Sequence, residues 1–306
     1  MTPTGQDAPS AGTRGWWQDL SALWAFGVRE YRMWQSYRAN QVMWVANIFV
    51  TTFLFFLLAR TIAGHAATLL GPAYGTNYVS FVVIGITVDV FISTNLSDPW
   101  FRIRQSYFSG TMDLFLLSPM SIYTPLLGLM ARSVIDDYPR LVFTGGFGML
   151  FFGATFNFGR WPLAFLFTVL LLTAAFGIGM ISASAFYLLD IKQGNEPLQF
   201  VIQELLAALL AGTFYPVTVL PRSLQWIACV LPHTYALDAL RRLLDPGAQA
   251  QVPVLPIQHL LSNLSPVTVD GLALTILSLV LLPLGFLAYG RGIERARGNG
   301  TLTRWQ

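Results

Sequence analysis

The stretch "LQFVIQELLAALLAGTFYPVTVLP", residues 198–221, decides how this chain is read. From Leu198 to Ala211 it has the character of a membrane helix. As helix, however, that run reaches only about 21 Å, short of a hydrocarbon core about 30 Å thick. Gly212, Pro216 and Pro221 then break the helix where a spanning segment would continue. The following "SLQWIACVLPHTYALDALRRLL", residues 223–244, holds a short apolar helix, a second break at Pro232 and an amphipathic piece ending in Arg241-Arg242. Irregular backbone at membrane depth is tolerated only when buried in protein or lining a wet cavity. Residues 212–244 are therefore expected to form a helical hairpin that re-enters the outer leaflet and roofs a pathway.

The rest of the chain agrees with a membrane setting. Of 306 residues, 54% are hydrophobic and 11% charged, whereas a soluble domain carries about 25% charged residues. The class expected is an all-α polytopic membrane protein. Six spans are expected, at about Val42–Ala59, Tyr78–Leu96, a third of unclear start ending near Phe156, Trp161–Leu189, Leu198 to just beyond Ala211, and Val269–Tyr289. Arg132, Asp136, Asp137 and Arg140 interrupt the third, as a long helix projecting from the bilayer would accommodate. With both termini cytoplasmic, eleven Lys or Arg side chains fall inside and five outside, Arg132 and Arg140 being unassigned. The positive-inside rule therefore places both ends in the cytoplasm of a plasma (inner) membrane protein.

Residues 1–15 are polar and read as a disordered tail, and residues 292–306 as a cytoplasmic tail. Between the first tail and the spanning domain, 42–291, residues 16–41 place Trp17, Leu20, Trp24, Val28, Tyr31 and Trp34 at helical spacing. An amphipathic helix in the inner interface is expected there, its arginines on anionic lipid.

Several function classes are excluded by residue type. The only lysine, Lys192, lacks the glycines and the following Ser or Thr of a P-loop, so the chain carries no Walker-type ATPase site. His65, His233 and His259 are far apart in outer segments, and the single Cys229 leaves no internal disulfide, so no metal site, cofactor or catalytic residue is expected. Nothing suggests nucleic acid as a partner.

The cytoplasmic segment 97–121, "SDPWFRIRQSYFSGTMDLFLLSPMS", breaks at Gly110 and restarts with Thr111 as an N-cap and Asp113 in the first turn. Leu114 to Leu117 are apolar, and Ser118-Pro119 ends the element. A short capped helix of this kind suits a groove on another protein.

These residues resemble a family, the type-2 ABC exporter permeases, whose chains pair with a separate ATP-binding-cassette protein. "GTMDLFLLSP" is similar to the family's Gly-Thr-Leu-acid-x-Leu-Leu-x-x-Pro segment, with Met112 where Leu is usual. "AGTFYPVTVLPRSLQWIACVLPHTYALDALR" is similar to its late signature, with Tyr215 inserted between Phe214 and Pro216. The resemblance covers about residues 16–295. It implies a half-transporter that dimerises with a second copy or a related permease, while the partner ATPase binds ATP and Mg. It also implies that Arg102, Arg104, Gly110, Thr111, Asp113, Leu117 and Pro119 form or flank the coupling surface. The outer gate or hairpin would use Gly212, Phe214, Tyr215, Pro216, Leu220, Pro221, Pro232, Tyr235 and Arg241.

Ionisable groups inside a bilayer often mark pathways. Asp89, in the second span, serves either a pathway or an inter-helix hydrogen bond, and Glu204 either a pathway or a pair with a charge such as Arg132. Asp136 and Asp137 beside Arg132 and Arg140 read as an ion-pair network. Two alternatives stand beside an exporter permease, a proton-coupled secondary transporter using Asp89 or Glu204 and a scaffold without transport. The substrate class is open among drugs, lipids and lipid-linked glycans.

Overall fold

The computed structural model describes residues 28, 36, 38–62, 73–74, 77–110, 123–188, 208–249 and 251–299. The described chain is helical, without strands. Five long helices carry it: α1 (Arg38–Ile62), α2 (Tyr78–Phe108), α3 (Thr124–Phe152), α4 (Trp161–Leu188) and, last in the chain, α8 (Pro266–Gly298). The described residues between α4 and α8 include the short helices α5 (Arg222–Ala228), α6 (Pro232–Leu244) and α7 (Pro256–Leu260). Three stretches, Gln41–Thr61, Phe158–Leu188 and Pro266–Gly298, are long and apolar enough to cross a membrane. The apolar run of α2, Tyr78–Asp89, is shorter.

Facing side chains fix the helix directions. Trp44 meets Phe143, Phe49 meets Phe147 and Phe56 stacks on Phe152, so α1 and α3 run the same way. Val83 lies against Gly148, and the Ser80 hydroxyl accepts from Thr155 N at 2.8 Å, so α2 runs opposite to α3. Trp100 packs edge-on to Phe186 where α2 and α4 run in parallel. The Ser278 hydroxyl donates to Leu170 O at 2.8 Å, and Gly292 lies by Ser184, so α8 parallels α4. The molecule thus has two ends, one where α2, α4 and α8 start and one where they finish.

Glycine sets the close approaches. A Cβ on Gly177 would sit 2.5 Å from Leu281 O, and one on Gly285 2.6 Å from Gly177 O. On the other side of α4, a Cβ on Gly179 would sit 2.5 Å from Asn95 O of α2. Backbones can approach this closely only without side chains between them, which is how apolar helices associate when lipid offers no hydrophobic drive. α4 is consequently the central helix, mostly buried, whereas α1 and α8 bury only a small part of their apolar stretches. Val42 is 68% exposed and Leu150 of α3 80% exposed.

Two expectations need adjustment at the boundaries. α2 does not stop at Leu96 but continues through Pro99 to Phe108, so the first half of segment 97–121 is a helical extension of the second span. It ends at Ser109 and Gly110, whose φ of 69° turns the chain. The helix at the place of the expected third span, α3, starts at Thr124, where Pro125 occupies the first turn and needs no N–H acceptor. The leading helix 16–41 lies outside the described residues apart from helical positions 28, 36 and 38–41. Both tails, apart from residues 292–299, lie outside them too, as does most of the expected fifth span.

Candidate functional site

The broken stretch that opened the reading is packed into the starting end of the bundle. The described residues Ala208–Leu210 are helical, and Gly212, at φ 81°, turns the chain after them. Only glycine adopts that backbone without strain. Phe214 stacks on Phe55 of α1 at 4.8 Å, and its carbonyl accepts from the Tyr78 hydroxyl at 2.8 Å. The Tyr215 hydroxyl donates to Leu209 O. Pro216 leads into a turn of 3₁₀ helix, Val217–Val219, and Pro221 precedes α5. Gln225 donates back to Leu220 O at 2.8 Å.

Pro232 occupies the first turn of α6, and two bonds tie α6 to α5. The Thr234 hydroxyl donates to Ala228 O and the Tyr235 hydroxyl to Cys229 O, each at 2.7 Å. α6 was expected to be an amphipathic piece of a re-entrant hairpin, with no partners assigned to its polar face. Every residue from Pro232 to Leu243 is buried. Its apolar face joins Phe167 and Leu171 of α4 and Leu274 of α8, while its polar face meets α2 and α7 in a buried network.

Arg241 is the centre of that network and only 2% exposed. Nε donates to Phe81 O at 3.2 Å, Nη1 to Gly212 O at 2.6 Å and Nη2 to Thr213 O at 2.6 Å. The guanidinium also lies 3.4 Å over the Phe81 ring, a cation–π contact. Burial pulls its pKa down to about 10, which leaves it charged at neutral pH. Gly85 makes the arrangement possible, because a Cβ there would collide with Thr213 O and stand 2.8 Å from Nη2.

Beside it, Arg242 Nε pairs with Asp238 Oδ2 at 3.0 Å, one helical turn apart. Asp238 accepts from the Tyr74 hydroxyl at 2.5 Å and from Gln258 Nε2 at 2.6 Å. Burial and the neighbouring Asp238 carboxylate hold the Tyr74 phenol well above its usual range. Gln258 is oriented by two backbone donors, Val254 N at 2.8 Å and Leu255 N at 3.1 Å, so its amide nitrogen faces the acids. That nitrogen also donates to Asp270 Oδ1 at 2.7 Å, joining α8 to α6 through α7. Asp270 Oδ2 is buried without a partner among the described residues.

The structure thus gathers Gly212, Phe214, Tyr215, Pro216, Leu220, Pro221, Pro232, Tyr235 and Arg241 into one body. Tyr74, Gly85, Asp238, Arg242, Gln258 and Asp270 were missed. Of these, the Asp238–Arg242 spacing and the Asp270 charge near the start of an apolar helix were legible signals. Nothing in the sequence marked Tyr74 or Gln258.

At the finishing end, Arg104 lies 5.3 Å from the Trp100 ring and 5.6 Å from the Phe108 ring. Gly110 N donates to Tyr107 O at 3.3 Å. Asp89 is half-buried on α2. Thr111, Asp113, Leu117, Pro119 and Glu204, with the side chains of Arg102, Arg132, Asp136 and Asp137, lie outside the described residues. No group of three or more potential metal ligands occurs among the described residues. No protein-family model matches the chain, and no curated protein matches it.

Proposed function

We propose that this chain is the membrane-spanning, permease subunit of an ATP-driven exporter of the ABC-2 type. It dimerises around a pathway in the plasma membrane, with both termini cytoplasmic and six spans, and exports a drug, lipid or lipid-linked glycan. A separate ATP-binding-cassette subunit binds ATP and Mg and docks on the cytoplasmic end near Arg104 and Gly110. The observation that carries this reading is the segment 212–244. Broken backbone is wedged into one end of an apolar helix bundle, with its carbonyls satisfied by a buried arginine. Such a plug has a use in a molecule that opens and closes.

Two further points support it. Leu188 stands at the finishing end of α4, whereas Leu210 and Ala211 join the cluster at the starting end of the bundle. Those two positions at opposite ends support the reading of a fifth span followed by a re-entrant hairpin. The absent P-loop means that any ATP-driven work must come from another chain. The test is purification of the full chain with its cellular partners. The reading expects a Walker-containing protein to co-purify and ATP hydrolysis only in its presence. Transport by the chain alone, driven by a pH gradient and lost in Asp89→Asn, would replace it with a secondary transporter.

A further inference from the structure

The geometry points to Arg241 as a releasable fastening, a side chain of α6 that ties the 210–219 turn to α2 through three hydrogen bonds and that must let go when this end of the molecule opens. It rests on the proposed function only in naming the opening as that of an outer gate, since the fastening is a property of the chain alone. Three segments far apart in sequence meet at this guanidinium. Phe81 supplies a carbonyl and a ring from α2, Gly212 and Thr213 supply the carbonyls of the turn, and α6 supplies the arginine. Beyond these bonds the turn is held on α1 and α2 by the Phe55–Phe214 stack and the Tyr78–Phe214 bond.

The ligands of Arg241 are what make it releasable. No carboxylate pairs with it among the described residues, because Asp238, on the same helix, is taken by Arg242, Tyr74 and Gln258. A buried cation is ordinarily matched by an anion, and breaking such a pair leaves two uncompensated charges. Here the guanidinium's direct partners are neutral carbonyls and an aromatic face. Asp238 acts on it through space and is held by its own partners, and the guanidinium regains its hydration as it leaves. The bonds are short and directional, so the closed state is well defined, yet its opening strands no anion. Arg242 contrasts with it. That side chain is locked to Asp238 within a single helix, so its pair travels with α6 as a unit.

Gly85 gives a second handle on the same contact. A methyl group there pushes on Thr213 O and Nη2 without touching the charge of Arg241. Hydrogen exchange of the full chain in lipid nanodiscs is the experiment, comparing wild type, Arg241→Gln and Gly85→Ala. Amides of 210–219 are expected to exchange at least about tenfold faster in both variants, while those of Leu171–Met180 in α4 stay unchanged. A second readout needs no variant. Phenylglyoxal, which modifies accessible guanidiniums, should modify exposed Arg222 quickly and Arg241 at the slower rate at which the turn opens. Unaltered exchange at 210–219 in both variants would overturn the proposal. So would loosening of α4 by the same factor, or modification of wild-type Arg241 as fast as Arg222. Failure of the exporter reading would show instead as the absence of any co-purifying ATPase, with these exchange results intact.

Discussion

Charge is buried in two different ways on α6, and each responds differently to substitution. Asp238→Asn leaves the Arg242 guanidinium fully buried without its anion, a change that costs about 3–5 kcal/mol. Replacing both, as Asp238→Leu with Arg242→Met, removes the pair together and is expected to cost much less, because neither charge then needs desolvation. Chemical unfolding of both variants in detergent checks this, and equal losses would contradict it. His233 behaves differently. It is buried at the start of α6, and neither ring nitrogen has a partner among the described residues. Desolvation lowers its pKa from 6.5 to about 4, so the folded chain keeps it neutral. As pH falls, the unfolded chain takes up the proton first. The stability from keeping His233 neutral is therefore complete above pH 6.5 and is lost between pH 6.5 and about 4, a total of about 3 kcal/mol. Wild type should lose thermal stability faster than His233→Phe over that window, and parallel melting curves would show the imidazole to be uninvolved.

Among the helices, glycine has opposite consequences on different faces. Gly177 stands where α4 crosses α8, and a side chain there meets Leu281 backbone at 2.5 Å, so Gly177→Val must part the helices. A loss of at least about 1–3 kcal/mol is expected from that overpacking. Gly146 on α3 has open space around its Cα, and Gly146→Ala should gain about 0.5–1 kcal/mol from the better helix former. Thermal unfolding of the two variants should therefore move in opposite directions. The start of α4 was legible almost to the residue, and nothing in 161–188 interrupts its apolar run. The extension of α2 was not. Ser97, Asp98 and Pro99 read as a helix end, yet the Gly179 approach packs α4 against this turn and holds it helical. The breaks at Gly212, Pro216, Pro221 and Pro232 were all visible, since backbone freedom and missing donors are local properties. The network behind them was hidden, since Tyr74, Phe81 and Gln258 reach α6 only through tertiary packing.

Taken whole, the molecule is a bundle with an apolar circumference and a polar, buried cluster at one end. Val42, Leu54, Leu150, Phe165 and Leu279 are exposed around its sides, as lipid contact requires. Pro216→Ala with Pro221→Ala should leave this bundle assembled and abolish export in cells, because the substitutions let the plug straighten without touching α4 or α8. Export at the wild-type rate with a normal melting temperature would remove the plug from the mechanism. The placement of that end on the outer face underlies the whole account, and Ser223 offers direct access to it, being exposed on α5. A Ser223→Cys chain in a Cys229→Ser background, treated in intact cells with a membrane-impermeant maleimide, is expected to be labelled from outside. Labelling only after the cytoplasmic face is opened to the reagent would invert the topology and contradict the outer gate.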